Sequence, residues 1–242
     1  KEMRTIFASC DEKYFLEHGI TLIKSCLEHE ERYHVEIING DRVACLSALR
    51  STGHGNSDFP STIGASGAIS FVDIDIAEGI EKRVVYSCQR FMSAREMLKT
   101  YEEMLIVDAD CILRRPIDWD DFKDFHYALY FRDPLPNTNE WETAASRVAA
   151  GAVYLKREAG PYMIGVSLMI SAMGYAWFVD QYALHQVHMK EAARKLPLIS
   201  GQVPQKYIDW DFNDHSVFWT GKGNRKYENP DYLELRSRYG DA

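Results

Sequence analysis

The sequence predicts an α/β domain built around a parallel sheet. Short apolar runs alternate with stretches whose apolar residues recur at helical spacing, an order typical of strand, helix, strand units. Residues 104–107 are apolar throughout and are bounded by charge, which predicts a strand buried on both faces. The 242 residues are enough for one sizeable core, and no stretch has the composition of a linker. We therefore expect a single domain over residues 1–242.

Six strands are predicted from short apolar runs bounded by turn residues or charge. They cover residues 4–9, 34–38, 68–73, 104–107, 127–131 and 149–155. The last of these begins with small residues, which would let a ligand approach the backbone. Two long segments, 51–67 and 132–146, are rich in Gly, Pro or polar residues and are predicted to be loops.

Helices are predicted where apolar residues recur every three or four positions. The residues that mark them are Leu16, Ile20, Ile23 and Leu27 in the first helix, and Phe91, Ala94, Leu98 and Tyr101 in the helix before strand 104–107. Residues 43–49 suit a short helix. Residues 159–179 carry no formal charge and are long enough to span a bilayer, but Gly, Pro and Ser interrupt them. We expect no transmembrane segment there. A buried helix broken near Gly174 is predicted instead, followed by a second helix to about Lys195.

The composition excludes some partners and favours one compartment. A formal net charge of -8 argues against a protein that coats nucleic acid or an anionic membrane. Five scattered cysteines without paired metal spacing indicate reduced, partly buried thiols, which predicts a cytoplasmic setting. No signal peptide opens the sequence, and it begins at Lys1 without a methionine, so we expect a domain excised from a longer chain.

Two carboxylates follow strand 104–107. Asp108 and Asp110 are separated only by Ala109 and lie at the carboxyl end of the strand, where open α/β sheets bind ligands. Both can converge on one hard divalent cation, which commonly takes one or two carboxylates together with substrate phosphates. An ordinary Asp-rich turn is the alternative reading of this pattern.

Two arginines precede the same strand. Arg90 and Arg95 bracket what we predict to be the first turn of the helix that begins near Phe91. The positive end of a helix dipole would favour an anionic ligand beside them. A pair of solvated charges explains the spacing equally well.

The order of these features resembles the GT-A glycosyltransferases, in particular the retaining family that includes glycogenin and the bacterial lipopolysaccharide galactosyltransferases. The segments that carry the resemblance are residues 11–15 with 25–27 (the strand and helix that hold the nucleotide base), Tyr86 and Arg90 before 105–110 (the D-x-D motif), 149–155 (an N-[AS]-G-V segment), 180–181 (a D-Q pair) and 220–226 (an H-x-x-G-x-x-K loop that closes on the diphosphate). Together they extend over residues 5–227.

This resemblance implies a GT-A-like fold, with a single mixed, mostly parallel sheet flanked by helices. It implies a metal-dependent hexosyltransferase that uses Mn2+ or Mg2+ and a nucleotide-sugar donor, acts with retention, and has a glycan, lipid-linked or protein acceptor. The implied site residues are Asp180 and Gln181 for catalysis; Ser9, Asp11, Tyr14, Arg90, Arg95, Gly151, Gly221, Lys222 and Lys226 for the donor; and Asp108, Asp110 and His215 for the metal.

Two positions depart from the family pattern. Ala150 stands where the family usually has Asn, which affects one contact with the donor sugar. Phe218 stands where the third metal ligand, a His, is usual. A shift in the loop would let His215 or Asp214 take that place, and the other option is a metal with two protein ligands.

Two other classes of protein fit the same features. One is a metal-dependent nucleotidyltransferase or hydrolase of nucleotide sugars built on a similar sheet. The other is a non-catalytic carbohydrate-recognition module, which the missing Asn and His would suit. The reaction products distinguish the two classes. The enzyme would make pyrophosphate or free sugar, whereas the recognition module would catalyse no reaction.

Overall fold

The computed structural model describes residues 3–51, 67–133 and 139–240, which contain nine strands. The strands are β1 (Arg4–Asp11), β2 (Tyr33–Ile38), β3 (Gly67–Val72), β4 (Glu103–Val107), β5 (Cys111–Leu113), β6 (Tyr127–Phe131), β7 (Val148–Lys156), β8 (Ser200–Gln202) and β9 (Phe218–Thr220). The α-helices are α1 (Glu12–Tyr14), α2 (Ile20–Glu28), α3 (Arg42–Leu49), α4 (Lys82–Thr100), α5 (Glu140–Ala145), α6 (Gly160–Met173), α7 (Val179–Ala192), α8 (Arg225–Glu228) and α9 (Pro230–Gly240). A π-helical turn, Phe15–Gly19, joins α1 to α2.

Seven strands form one mixed, mostly parallel sheet flanked by helices, in the order β3-β2-β1-β4-β7-β6-β8. Strands β1, β2 and β3 pair in parallel, as do β6 and β8, whereas β6 and β7 are antiparallel. The predicted fold class is therefore confirmed. Strands β5 and β9 make a separate antiparallel pair.

The chain divides into two compact units. Unit A consists of Thr5–Ile74, Val107–Asp118 and Gln205–Ala242, and unit B of Lys1–Arg4, Asp75–Ile106 and Trp119–Pro204. The prediction of a single domain over residues 1–242 stays a prediction.

Unit A is organised around β1 and β2, whose residues are almost all buried, as in parallel sheets covered on both faces, and these include the polar His34 and Glu36. A second apolar cluster forms beside the β5–β9 pair, where Ile112 and Trp219 pack with residues of the C-terminal region, among them Tyr232. Ser25 ties α2 to β5, because its hydroxyl accepts a hydrogen bond from the Leu113 N–H at 3.0 Å.

Unit B pairs its strands with the long helices α4, α6 and α7. Gly165 allows close packing of α6 on α7, since a Cβ at that position would lie 2.9 Å from Val187 Cγ1. The buried Glu103 accepts from the hydroxyl of Tyr154 at 2.8 Å and is 3.3 Å from the Arg4 guanidinium. This carboxylate is satisfied within the unit, as buried charges must be.

The structure corrects several sequence-based boundaries. Helix α4 begins at Lys82, well before Phe91, because Val84 and Cys88 continue its buried face towards the N-terminus. The segment 132–146 is not all loop: α5 lies within it, capped by the Asn139 side chain, while residues 134–138 lie outside the described residues. Nearly all of the predicted loop 51–67 also lies outside them.

The C-terminal region holds elements that periodicity did not predict, namely β8, β9, α8 and α9. A signal for α9 is present in the sequence, because Asn229-Pro230 combines a helix-capping residue with the residue favoured at the first helical position. The Asn229 side chain does accept from the Tyr232 N–H at 2.9 Å.

Other predictions can be compared directly with the structure. The apolar stretch after residue 159 is broken as predicted, with α6 ending at Met173 and α7 beginning at Val179. Among the residues that the structure describes, no helix combines the length and the apolar character needed to cross a bilayer. The five cysteines are all free and buried, whereas the sequence predicted thiols that are only partly buried.

Candidate active site

The predicted D-x-D motif lies in unit A, directly after β4. All five residues of β4 are buried, and Asp108 then emerges to partial exposure while Asp110 turns back into the protein, with 6% of its surface exposed. A turn joins the two, in which the Cys111 N–H donates to the Asp108 carbonyl at 3.1 Å. The two carboxylates therefore differ in environment, although the sequence places them only two residues apart.

The Asp110 carboxylate is held by two donors on its Oδ2 atom. The Tyr14 hydroxyl donates to Oδ2 at 2.6 Å, and the Lys226 ammonium donates to the same atom at 2.7 Å. Lys226 also donates to the Tyr14 hydroxyl, and its Nζ lies 4.7 Å from the centre of the Tyr14 ring. Three predicted site residues, separated by up to 212 positions in the sequence, thus meet in one buried cluster.

Burial and neighbouring charges shift the pKa values of Asp110 and Tyr14 in this cluster. Burial raises the pKa of the Asp110 carboxyl, and the neighbouring Asp108 charge raises it further, while Lys226 and Tyr14 act in the opposite direction. Burial and the Asp110 charge raise the pKa of the Tyr14 phenol. Tyr14 therefore stays protonated near neutral pH and acts as a hydrogen-bond donor to Asp110.

The backbone of Asp110 is fixed as firmly as its side chain. Its carbonyl accepts from the Tyr232 hydroxyl at 2.6 Å and from the Gly221 N–H at 3.3 Å. A Cβ at Gly221 would lie 3.0 Å from both Asp110 Cγ and the Asp110 carbonyl oxygen. Glycine is required here because the loop passes directly against the carboxylate.

We expect Gly221→Ala to lower the free energy of unfolding by about 1–3 kcal/mol, because the added methyl overpacks the site. Urea denaturation measures this. Gly160→Ala is the matched control, since nothing lies within 4 Å of a Cβ at that position. Equal stability of Gly221→Ala and the native protein would contradict the close approach of the loop.

The residues present do not fit a metal site with three protein ligands. His215 is exposed in a turn rather than beside the aspartates, and Asp214, the other proposed substitute, is exposed next to it. Within residues 3–51, 67–133 and 139–240, no three or more His, Cys, Asp and Glu side chains are grouped so as to hold a metal ion. In addition, Oδ2 of Asp110 already accepts from an ammonium and a hydroxyl.

The turn that carries His215 is fixed by a residue that sequence reasoning missed. Asp209 is fully buried, and its carboxylate accepts from the N–H groups of Asp211 at 2.8 Å and Asn213 at 2.6 Å and from the Ser216 hydroxyl at 2.6 Å. Phe218, in the family's histidine position, is buried in β9 opposite Leu113. The loop shift that would bring His215 into that place is therefore not seen.

A second group of predicted residues lies in unit B, around the start of α7. The buried Asp180 has its Oδ2 atom 3.8 Å from the guanidinium of Arg90, which is also buried. Gln181 accepts from the Arg132 guanidinium at 2.9 Å, and Arg132 donates also to the Ser146 carbonyl at 2.7 Å. Gln181 is thus oriented by an arginine, while the Asp180 carboxylate accepts from the Gln181 N–H at 2.9 Å and lies near a second arginine.

Arg90 and Arg95 do not bracket a helix start, which corrects their predicted placement. Both lie in the interior of α4, which begins at Lys82, and only Arg90 is buried while Arg95 is exposed. Their five-residue separation puts them on different faces of the helix. Neither arginine lies at the positive N-terminal end of α4, so the helix dipole does not help either of them to bind an anion.

The remaining predicted donor residues take varied positions. The Ser9 hydroxyl donates to the buried Glu36 at 3.0 Å, and the Asp11 carboxylate caps α1 by accepting from the Tyr14 N–H at 2.8 Å. Gly151 lies where the β6–β7 register shifts between Ala149 and Val153. The exposed Lys222 ammonium lies 4.3 Å from the centre of the Trp210 ring.

Tyr232 and Asp209 are the residues of this region that the sequence did not reveal. Tyr232 reaches an atom 122 positions away along the chain, and no local pattern encodes such a contact. Asp209 lies between Ile208 and Trp210 and close to Asp211 and Asp214, and nothing in this order distinguishes it from the other aspartates, so its burial is visible only in the fold.

Comparison with known proteins shows a likeness of fold to a glycosyltransferase of known structure. No family model matches the sequence, and no curated protein matches it either. A solved structure of the WbbM bifunctional glycosyltransferase in its apo form is similar to this chain, with a TM-score of 0.59 and 11% sequence identity. The match covers 98% of this chain and 52% of the other, so this chain spans about half the length of that protein. The fold is therefore glycosyltransferase-like.

Proposed function

We propose that this protein is a glycosyltransferase that moves a hexose from a nucleotide-diphosphate sugar to a glycan, lipid-linked or protein acceptor. The observation that carries the proposal is the buried Asp110–Lys226–Tyr14 cluster directly after β4, in a chain whose fold is glycosyltransferase-like. The carboxyl end of a strand in an open α/β sheet is the usual place for a ligand.

In this reaction the bond between the anomeric carbon and the phosphate oxygen breaks, and the acceptor hydroxyl forms the new glycosidic bond. The acceptor proton leaves with the nucleoside diphosphate. Negative charge develops on the diphosphate, and preorganised cations in a site with little water stabilise it. Lys226 is the buried cation beside Asp110, and the exposed Lys222 and Arg225 flank the same loop.

Asp180 and Gln181 are our candidates for contacts with the transferred sugar. Gln181 is held by Arg132, and the buried Asp180 accepts from the Gln181 N–H, so their side chains have few alternative rotamers. Retention of anomeric configuration is proposed from the resemblance to the retaining family. Dependence on Mn2+ or Mg2+ stays a prediction from the same resemblance, and the side chains around Asp110 do not support it.

We expect the purified protein to release free nucleoside diphosphate from at least one nucleotide sugar in a panel that varies base and hexose. Chromatography of the nucleotide products and proton NMR of the new anomeric centre give the donor and the stereochemistry. Pyrophosphate as the product would indicate a nucleotidyltransferase, and free sugar alone a hydrolase. Binding without turnover of any donor would instead indicate a carbohydrate-recognition module.

A further inference from the structure

The ammonium of Lys226 lies beside the carboxylate of Asp110, which the family resemblance assigns to a metal. Lys226 is 8% exposed and Asp110 6%, so this is a buried ion pair with a separation of 2.7 Å. The rings of Tyr14 and Tyr227 lie 4.7 Å and 5.4 Å from Nζ. Aromatic faces attract a cation at such distances, so the ammonium has favourable contacts on several sides.

One of the two Asp110 carboxylate oxygens, Oδ2, already accepts two hydrogen bonds. A carboxylate oxygen offers about two lone-pair directions, and on Asp110 Oδ2 they are used by the Tyr14 hydroxyl and the Lys226 ammonium. A divalent cation could reach Oδ2 only by displacing one of these donors. It would also be repelled by the ammonium, because charges this close and this well buried are poorly screened.

The loop that carries Lys226 is built to hold it there. Gly221 lets the loop lie against the Asp110 carboxylate, and the Tyr232 hydroxyl fixes the Asp110 carbonyl. Lys226 itself lies in α8, directly before α9. The backbone that carries the Lys226 side chain is therefore fixed by a helix.

We propose that Lys226 is the built-in cation of this site and takes the place of a divalent metal, so that the site does not bind manganese. Resting on the proposed function, the inference assigns Lys226 to the diphosphate of the donor, whose developing charge it would stabilise. Asp110 then acts as the residue that positions the ammonium rather than as a metal ligand.

The first test is a titration of the protein with Mn2+ alone. The electron paramagnetic resonance signal of the free ion measures how much manganese remains unbound. We expect no saturable binding at about 1 mM manganese, the weak end of the range for divalent cations on proteins. Lys226→Met removes the competing ammonium and leaves Asp108 and Asp110 together, so manganese affinity should rise at least about tenfold. Adding Asp110→Asn to this variant should abolish the gain.

Two further variants control for charge. Lys13→Met removes an exposed lysine of the same unit and should leave manganese binding as weak as in the native protein. Lys226→Arg keeps the positive charge and should not gain metal affinity. Tight, saturable manganese binding to the native protein would overturn the proposal by itself, so the test stands even if the Lys226→Met variant proves unstable.

The second test is turnover of a donor by the native protein after treatment with EDTA, which should change the rate by less than about twofold. Loss of turnover that manganese restores would overturn the inference. The titration needs no donor, so the two proposals fail separately. If no donor is turned over under any condition, the proposed function fails, while the manganese titration still reports on the site.

Discussion

Replacing Asp110 with asparagine should lower the rate of sugar transfer by about 100- to 1000-fold, the usual cost of removing one electrostatic element of a preorganised site. Asparagine has the same shape and can still accept from Tyr14, but it lacks the charge that holds the Lys226 ammonium at 2.7 Å. The loss should appear in kcat, since the ammonium would act on charge that develops in the transition state. Steady-state kinetics with a saturating donor measure it.

The matched control for this variant is Asp231→Asn, which removes an exposed carboxylate from the first turn of α9. It should keep near-native turnover. Melting temperatures of both variants separate a lost function from a lost fold, because Asp110 is buried and its removal also weakens a buried pair. A folded Asp110→Asn variant with more than about half of the native rate would refute the assigned role.

Replacing Asp209 with alanine should lower the free energy of unfolding by about 3–5 kcal/mol, since four protein donors would lose their acceptor and breaking a buried hydrogen-bond network is among the most destabilising effects of a single substitution. The residue is fully buried and accepts from two backbone N–H groups, the Asn213 side-chain amide and the Ser216 hydroxyl. For a chain of this size the melting temperature should fall by about 6 to 20 °C. Calorimetry and urea denaturation measure the two quantities.

Asp214→Ala provides the comparison for the Asp209 variant. Its side chain is 86% exposed and lies 3.6 Å from Arg114, whose side chain is 23% exposed; because solvent screens the carboxylate, such a pair contributes about 0–1 kcal/mol. The bonds that Arg115 makes go to the Asp214 backbone carbonyl, so they survive the substitution. Similar losses in the two variants would mean that the Asp209 hydrogen bonds do not stabilise this loop.

The sequence by itself determined the α/β class and the position of the two aspartates that follow strand 104–107. Strands of a parallel sheet are short apolar runs, and residues 104–107 show that pattern so plainly that both the strand and the carboxylates after it are recognisable. The break after α6 was equally visible, because a glycine interrupts the apolar stretch at residue 174. In the structure Gly174 adopts a positive φ of 74°, which few other residues accept. These features depend on neighbours in the chain, which is the information that periodicity carries.

Only the tertiary structure decided which of the candidate residues act together. Arg90 and Arg95 look alike in sequence, but α4 begins earlier than its most obvious apolar residues indicate, and that start leaves one arginine buried and the other exposed. The contact between Asp110 and Lys226 joins residues 116 positions apart, and the exposed turn of His215 depends on the buried Asp209. Burial and long-range pairing arise from packing between distant segments, so local composition and spacing do not determine them.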